Sequence, residues 1–200
     1  MTQLLPRRGI FMNPIATITL ENRGNIVIEL LPEAAPNAVS SFISLASRGY
    51  YDNYAIQRVV PGWCVDVSYT GFGRPECRYL IESDAKRSAK YLDMVPGVIG
   101  LGGYGENLVC GSEFFFPLAP MPSIVGIYPA FGRITEGLEL ILALEKEELR
   151  PVISPEGLED IVINEPAVPV IIEKVTVNTF GVKYPEPVKL DVMPETGGWK

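Results

Sequence analysis

The residues of this chain best equipped for chemistry gather in two runs, Gln57-Arg58-Val59-Val60-Pro61-Gly62-Trp63 and, well downstream, Gly111-Ser112-Glu113-Phe114-Phe115-Phe116. A guanidinium on an apolar strand is costly to bury unless something pairs with it. Arg58 is therefore either braced by a carboxylate or kept to meet a ligand. The chain has 0 histidines, which removes the commonest general base and the usual activator of a nucleophile. Its 3 cysteines, Cys64, Cys77 and Cys110, are odd in number and lack C-x-x-C spacing, so neither disulfide stapling nor a zinc site is expected. Cys64 has apolar neighbours and no histidine to lower its pKa, and it reads as a packing residue. The chemistry left open is that of a fixed cationic donor beside an apolar slot, with no nucleophile, base, metal or cofactor.

These two runs resemble the signature blocks of the cyclophilin peptidyl-prolyl isomerases. The family pattern Phe-His-Arg-Val-Ile-Pro-Gly-Phe-Met-Ile-Gln is matched by residues 56–66, Ile-Gln-Arg-Val-Val-Pro-Gly-Trp-Cys-Val-Asp, and Gly-Ser-Gln-Phe-Phe by residues 111–115. The resemblance covers residues 15–180 and implies isomerisation of Xaa-Pro bonds in peptides or unfolded chains. Arg58 would be the catalytic donor to the prolyl nitrogen. Trp63 and Phe115 would wall the pocket, with Cys64 in the family's methionine position and Ile124 in its leucine position. Ile56, Gln57, Asp66, Leu101, Gly102, Gly103, Glu113 and Tyr128 complete the implied substrate-binding set. Departures from the family are concentrated here: Gln57 and Tyr128 replace histidines, Asp66 and Glu113 replace glutamines, Ile56 replaces a phenylalanine, and Leu101, Gly102 and Gly103 stand in place of a Met-Ala-Asn-Ala run. Ser123 lies near the position of the tryptophan of the family's cyclosporin surface, so binding of that drug is not expected. The same residues also admit a proline-peptide binding module without catalysis. A structural or chaperone-like barrel that docks through its acidic segment is a third reading.

The elements that must position these residues follow from periodicity. Ala16, Ile18 and Leu20 alternate with Thr17 and Thr19, Ile26, Ile28 and Leu30 alternate with Asn25, Val27 and Glu29, and Asn22-Arg23-Gly24 supplies the turn of a hairpin. Pro36 suits a first helical position, and Val39, Phe42, Ile43 and Ala46 recur at helical spacing after it. Residues 54–60, 63–67, 98–101, 114–117, 130–134 and 170–177 read as strands, and 68–95 as a polar irregular stretch. Thr135 is expected to cap a second helix ending at Leu144. The architecture expected from these elements and from the family resemblance is mainly β: a closed antiparallel eight-stranded barrel capped by two α-helices. Residues 1–14 form an N-terminal arm, 15–180 the barrel, and 181–200 a tail with little core to offer. Within the barrel, residues 145–165 carry Glu145, Glu147, Glu148, Glu156, Glu159, Asp160 and Glu165 against Lys146 and Arg150, which reads as a solvated excursion.

Composition bounds the function classes. With 47% hydrophobic and 20% charged residues in 200, the chain can bury a core. A net charge of −7 without clustered Lys and Arg argues against a nucleic-acid surface. No apolar run approaches the roughly 18 residues of a membrane span. The first 14 residues lack the apolar region of a secretory signal, so a cytoplasmic location is expected; the chain is also expected to be a monomer. Residues 100–105 match G-x-G-x-x-G literally, but a Phe-rich strand follows where a dinucleotide site needs a helix N-terminus.

Overall fold

The computed structural model describes residues 12–68, 74, 78–152 and 163–192. Most of the N-terminal arm, Cys77, the middle of the acidic excursion and Trp199 lie outside the described residues. Strands β1 (Ile15–Leu20) and β2 (Gly24–Leu30) form the expected hairpin, with Ile15 opposite Glu29 and Leu20 opposite Gly24. Helix α1 (Pro36–Ser47) follows. Its first residue in the helix is the proline, and its leading amides are capped from a distance. Asp84 Oδ2 accepts from Asn37 N at 2.7 Å and from Ala38 N at 2.9 Å, replacing the side-chain cap that Ala35 cannot provide.

The main sheet continues through β3 (Tyr54–Ala55), β4 (Arg58–Val60), β5 (Cys64–Val67), β6 (Leu80–Ile81), β7 (Val98–Gly103), β8 (Val109–Pro117), β9 (Ala130–Glu136) and β12 (Ile171–Asn178). Its order is β3-β12-β1-β2-β9-β7-β8-β5-β4, with β6 pairing beside β8 and all ladders antiparallel. This corrects the expected closed eight-stranded barrel: the sheet has ten strands and is an open half-barrel. The reason lies in residues 54–60, which the alternation presents as one strand. Tyr54 and Ala55 pair with β12 at one end of the sheet, and Ile56 N still donates to Val170 O at 2.9 Å. Arg58 then starts β4 at the opposite end, paired with β5. One segment thus supplies both edges, and no ladder joins them among the described residues.

Two further expectations change. Thr135 belongs to β9, and the helix α3 (Leu138–Ala143) starts after Gly137, whose φ of 83° turns the chain out of the strand. The stretch 68–95 contains β6 and a one-turn helix α2 (Ala85–Ser88), so the helices number three among the described residues. No helix there is long and apolar enough to cross a membrane.

Both the excursion read as solvated and the tail read as having little core carry structure among the described residues. Strands β10 (Leu149–Pro151) and β11 (Asn164–Pro166) pair at the ends of the acidic excursion, and β11 lies beside β4. Glu147 pairs with Arg23 at 2.5 Å and Arg150 with Glu165 at 2.6 Å. The tail runs beside β6: Glu82 N donates to Val188 O at 3.0 Å, Leu190 N to Leu80 O at 2.9 Å, and Val188 N to Asn37 Oδ1 at 2.7 Å. Backbone pairing holds it there, which a scan for apolar residues does not register.

Inside the curve of the sheet sits the main core, where α1 lays Phe42 against Tyr51, Phe114 and Phe131 with ring centroids 5.6, 5.5 and 5.4 Å away. A second, smaller cluster built from Ala34, Cys64, Leu92, Met94, Val98, Phe115, Met121 and Ala130 lies apart from it. The two are separated by strand alternation. Val65, Val67, Phe114 and Phe116 belong to the first cluster, and Cys64 and Phe115 to the second.

Candidate functional site

The second cluster floors a cavity of ≈ 320 Å³. Of the residues singled out from sequence, Arg58, Trp63, Cys64, Asp66, Gly102, Gly103, Glu113, Phe115, Ile124 and Tyr128 line it. Register explains the convergence. Arg58 stands opposite Asp66 across β4 and β5, Asp66 opposite Phe115 across β5 and β8, and Phe115 opposite Gly100 on β7. Opposed residues of neighbouring antiparallel strands point to the same face, and Glu113 shares it by standing two positions from Phe115. Three expected residues fall elsewhere. Ile56 and Leu101 are packed in the main core, and Gln57 sits half-buried in the link between β3 and β4, outside the cavity wall. Met121 was missed. It lies between Pro120 and Pro122, just before a 3-10 turn (Pro122–Ile124), and the only signal for it was an apolar residue in a proline-rich connection.

Arg58 Nη1 is ion-paired and hydrogen-bonded with Asp66 Oδ2, and lies 3.7 Å from Cys64 Sγ. The side chains are only 14% and 5% exposed, so this is a mostly desolvated pair whose partners hold each other in place. Of the two readings of Arg58, bracing by a carboxylate is therefore present, inside a cavity that also fits a ligand. Burial pushes the Asp66 carboxyl above its ordinary value, opposed by the Arg58 charge and by the hydrogen bonds from Arg58 and Cys64. Burial also drives the Cys64 thiol far up, helped by the Asp66 charge, which leaves it neutral and unreactive as the packing reading requires.

The opposite wall is set by Tyr128, whose hydroxyl donates to Gly103 O at 3.1 Å and whose ring meets Phe115 edge-on at 6.4 Å and 79°. Burial, then the Glu113 charge, push the Tyr128 hydroxyl up to about 12, so it is a neutral donor at ordinary pH. Trp63 stands at the rim, 40% exposed, after a Pro61-Gly62 turn whose Gly62 N donates to Glu145 Oε2 at 3.2 Å. Gly102 leaves the Glu113 carboxylate its place: a Cβ there would lie 2.1 Å from Glu113 Oε1, so that side chain would have to shift. The cavity thus combines an aromatic and thioether floor, one oriented guanidinium and two carboxylates. It can hold a small apolar ring and offer it a directed hydrogen bond, but has no group placed to form a covalent intermediate.

Comparison with known proteins decides the family. The model of the cyclophilin type peptidyl-prolyl cis-trans isomerase/CLD family matches residues 15–177. The chain is a cyclophilin. Among curated proteins, it is 31% identical over 141 residues to peptidyl-prolyl cis-trans isomerase B of Bacillus subtilis, covering 69% of this chain and 95% of that one. It is 34% identical over 133 residues to peptidyl-prolyl cis-trans isomerase CYP18-2 of Arabidopsis thaliana, covering 64% of this chain and 79% of that one. Among solved structures, a Cryptosporidium parvum cyclophilin crystallised in the presence of the dipeptide Ala-Pro superposes with a TM-score of 0.63 at 20% identity, over 82% of this chain and 98% of that one. A second crystal structure of the same Cryptosporidium parvum protein gives 0.66 at 21% identity, over 84% and 98%. At those identities the superpositions speak for the fold. Within it, this cyclophilin's cavity differs from the family pattern in carrying Asp66 and Glu113.

Proposed function

We propose that this cyclophilin isomerises Xaa-Pro bonds of peptides and unfolded chains in the cavity beside Arg58. Rotation about an Xaa-Pro bond faces a barrier of roughly 18 to 20 kcal/mol, because the amide is conjugated, and breaks no covalent bond. A catalyst therefore needs neither nucleophile nor metal. It needs a donor that favours the deconjugated, pyramidal prolyl nitrogen, and a slot that holds the ring while the rest of the amide turns. Arg58 supplies the donor and Phe115, Met121 and Ile124 the slot. Because the lone pair on nitrogen becomes a good acceptor only in the twisted state, the hydrogen bond is worth more there than in the ground state.

The observation that carries this reading is the ion pair itself: Asp66 holds Arg58 Nη1 at the cavity that Phe115 also lines. That same pair favours a second reading, since a carboxylate holding Nη1 competes with the substrate for it. In the extreme the cavity would bind proline peptides without accelerating exchange. Exchange NMR on a short Xaa-Pro peptide separates the two. We expect faster cis–trans exchange with the wild type and a fall of about 10²–10³ with Arg58→Ala, the usual worth of one fixed transition-state donor. Peptide signals that shift or broaden without faster exchange would identify a binding module instead.

A further inference from the structure

The strand that carries Arg58 is short and lies at one end of the main sheet. β4 has 3 residues and pairs with β5, and both β11 and the 3-10 turn Leu144–Lys146 lie beside it. It joins β5 through Val60-Pro61-Gly62-Trp63, where Trp63 N donates to Val60 O at 2.9 Å. Proline in the second place and glycine with a φ of 71° in the third mark a type II turn. Such a turn uses the Trp63 amide for its own closing bond and proline has no amide, so Gly62 N is the donor left over. Glu145 Oε2 accepts it at 3.2 Å. The acceptor stands on an anchored base: Leu144 beside it is fully buried, and Glu147 two residues on pairs with Arg23 at 2.5 Å. On its other side Trp63 is tied to the end of β8, where Leu118 N donates to Trp63 O at 2.9 Å.

We propose that Glu145 is a positioning residue for peptide binding: by holding Gly62 N it fixes the Pro61-Gly62 turn, and through that turn the Trp63 ring at the cavity rim. Trp63 is 40% exposed, so packing does little to fix it, and the direction in which its side chain leaves the backbone follows from the turn. A turn tied to an anchored group has fewer conformations to lose when a peptide arrives, which lowers the ordering cost of binding. The effect belongs to affinity rather than to the barrier, because Asp66 on β5 holds Arg58 without help from Glu145. The first residue of the acidic excursion thus reaches the site from behind its rim. This inference rests on the peptide-isomerase reading of the cavity and adds to it a residue that sets how firmly the peptide is held.

The test measures kcat and KM by exchange NMR on a short Xaa-Pro peptide, and reads Trp63 emission in a Trp199→Phe background, where it is the one tryptophan left. Glu145→Ala should raise KM by about three- to tenfold, the worth of one hydrogen bond, while kcat moves by less than about twofold and Trp63 emission shifts. Glu145→Gln keeps a side-chain carbonyl that can accept from Gly62 N, and should return KM to within about twofold of wild type. Glu147→Ala removes the Arg23 pair but leaves the Gly62 bond, and should not move KM. An unchanged KM in Glu145→Ala, no rescue in Glu145→Gln, or an equal rise in Glu147→Ala overturns the inference. The two readings fail separately. Without accelerated exchange in wild type the isomerase reading falls, and the dissociation constant from peptide shift changes then replaces KM for the same variants; accelerated exchange with KM unmoved in Glu145→Ala sinks the positioning role alone. If Glu145→Ala does not fold, amide hydrogen exchange at Gly62 in wild type decides: protection supports the role, and exchange at the rate of a free peptide amide overturns it.

Discussion

Phe114 and Phe115 are neighbours on β8, yet they serve two different assemblies. Phe114 is fully buried among Phe42, Tyr51 and Phe116, in a core of aliphatic and aromatic side chains filled from both sheet and helix. Phe115 lies on the other face, in a cluster rich in sulfur and small residues that stops short of filling its space. At the edge of the first assembly the Arg74 guanidinium lies over the Tyr50 and Tyr54 rings, whereas the cavity beside the second is lined by Arg58, Asp66 and Glu113. A strand's two-residue period lets one sequence satisfy both demands, because every second side chain answers to packing and every other one to the ligand. Stability and function should therefore separate along β8.

The sharpest way to break that comparison is to truncate each phenylalanine in turn. Phe114→Ala should cost about 3–5 kcal/mol in urea denaturation, as expected for a large side chain removed from a filled core. Phe115→Ala already borders a cavity, so its neighbours lose less. It should cost at most about half as much, yet abolish most exchange catalysis. Equal destabilisation by both would mean that the second cluster is as much a part of the folding core as the first.

A smaller effect probes the close approach of β7 to β8. Gly102→Ala should destabilise by about 1–3 kcal/mol, since a Cβ at that point overpacks against the Glu113 carboxylate. The cost should largely vanish in Gly102→Ala with Glu113→Ala, where the obstructing group is gone. A double-mutant cycle in thermal denaturation reads the coupling directly, and additive losses would show that the two positions do not share that space.

The legibility of this molecule in its sequence follows the range of the interactions. The β1–β2 hairpin and α1 declare themselves through local alternation and helical spacing. Arg58, Trp63, Asp66, Glu113 and Phe115 were found because they stand in two short runs whose registers then meet across β4, β5 and β8. What escaped was set at a distance. Residues 54–60 alternate like one strand, and only the ladder partners reveal that they serve opposite ends of an open sheet. Leu101 is one step from Gly102 and faces the main core, since one step along a strand reverses the side chain, and Ile56 packs there from the link between β3 and β4, where its N donates to Val170 O. Asp84 caps a helix 47 residues away, and residues 188–190 bond through their backbones beside β6, neither of which leaves a side-chain pattern to read.

The smallest effect is expected at Asp66, where the two assemblies differ most in kind. Its carboxyl faces Arg58 from β4 and Cys64 from its own strand, with Glu113 on β8 and Tyr128 lining the same cavity. Because burial raises the folded value, protonation begins at higher pH than for a free aspartate. Folding favours the protonated form, so the stability this group contributes is full below the ordinary carboxylate value and is lost as pH rises through the folded one. For turnover the sign is set by competition. A neutral carboxyl holds Arg58 less tightly, so exchange catalysis should rise as pH falls from neutral toward that raised value. Asp66→Gln should flatten this limb and raise turnover at neutral pH by about fivefold, equivalent to roughly 1 kcal/mol off the barrier. A fall instead would mean that Asp66 acts chiefly by orienting the guanidinium, and that bracing outweighs competition at this site. The same rising limb in Asp66→Gln as in wild type would show that the titrating group is not Asp66.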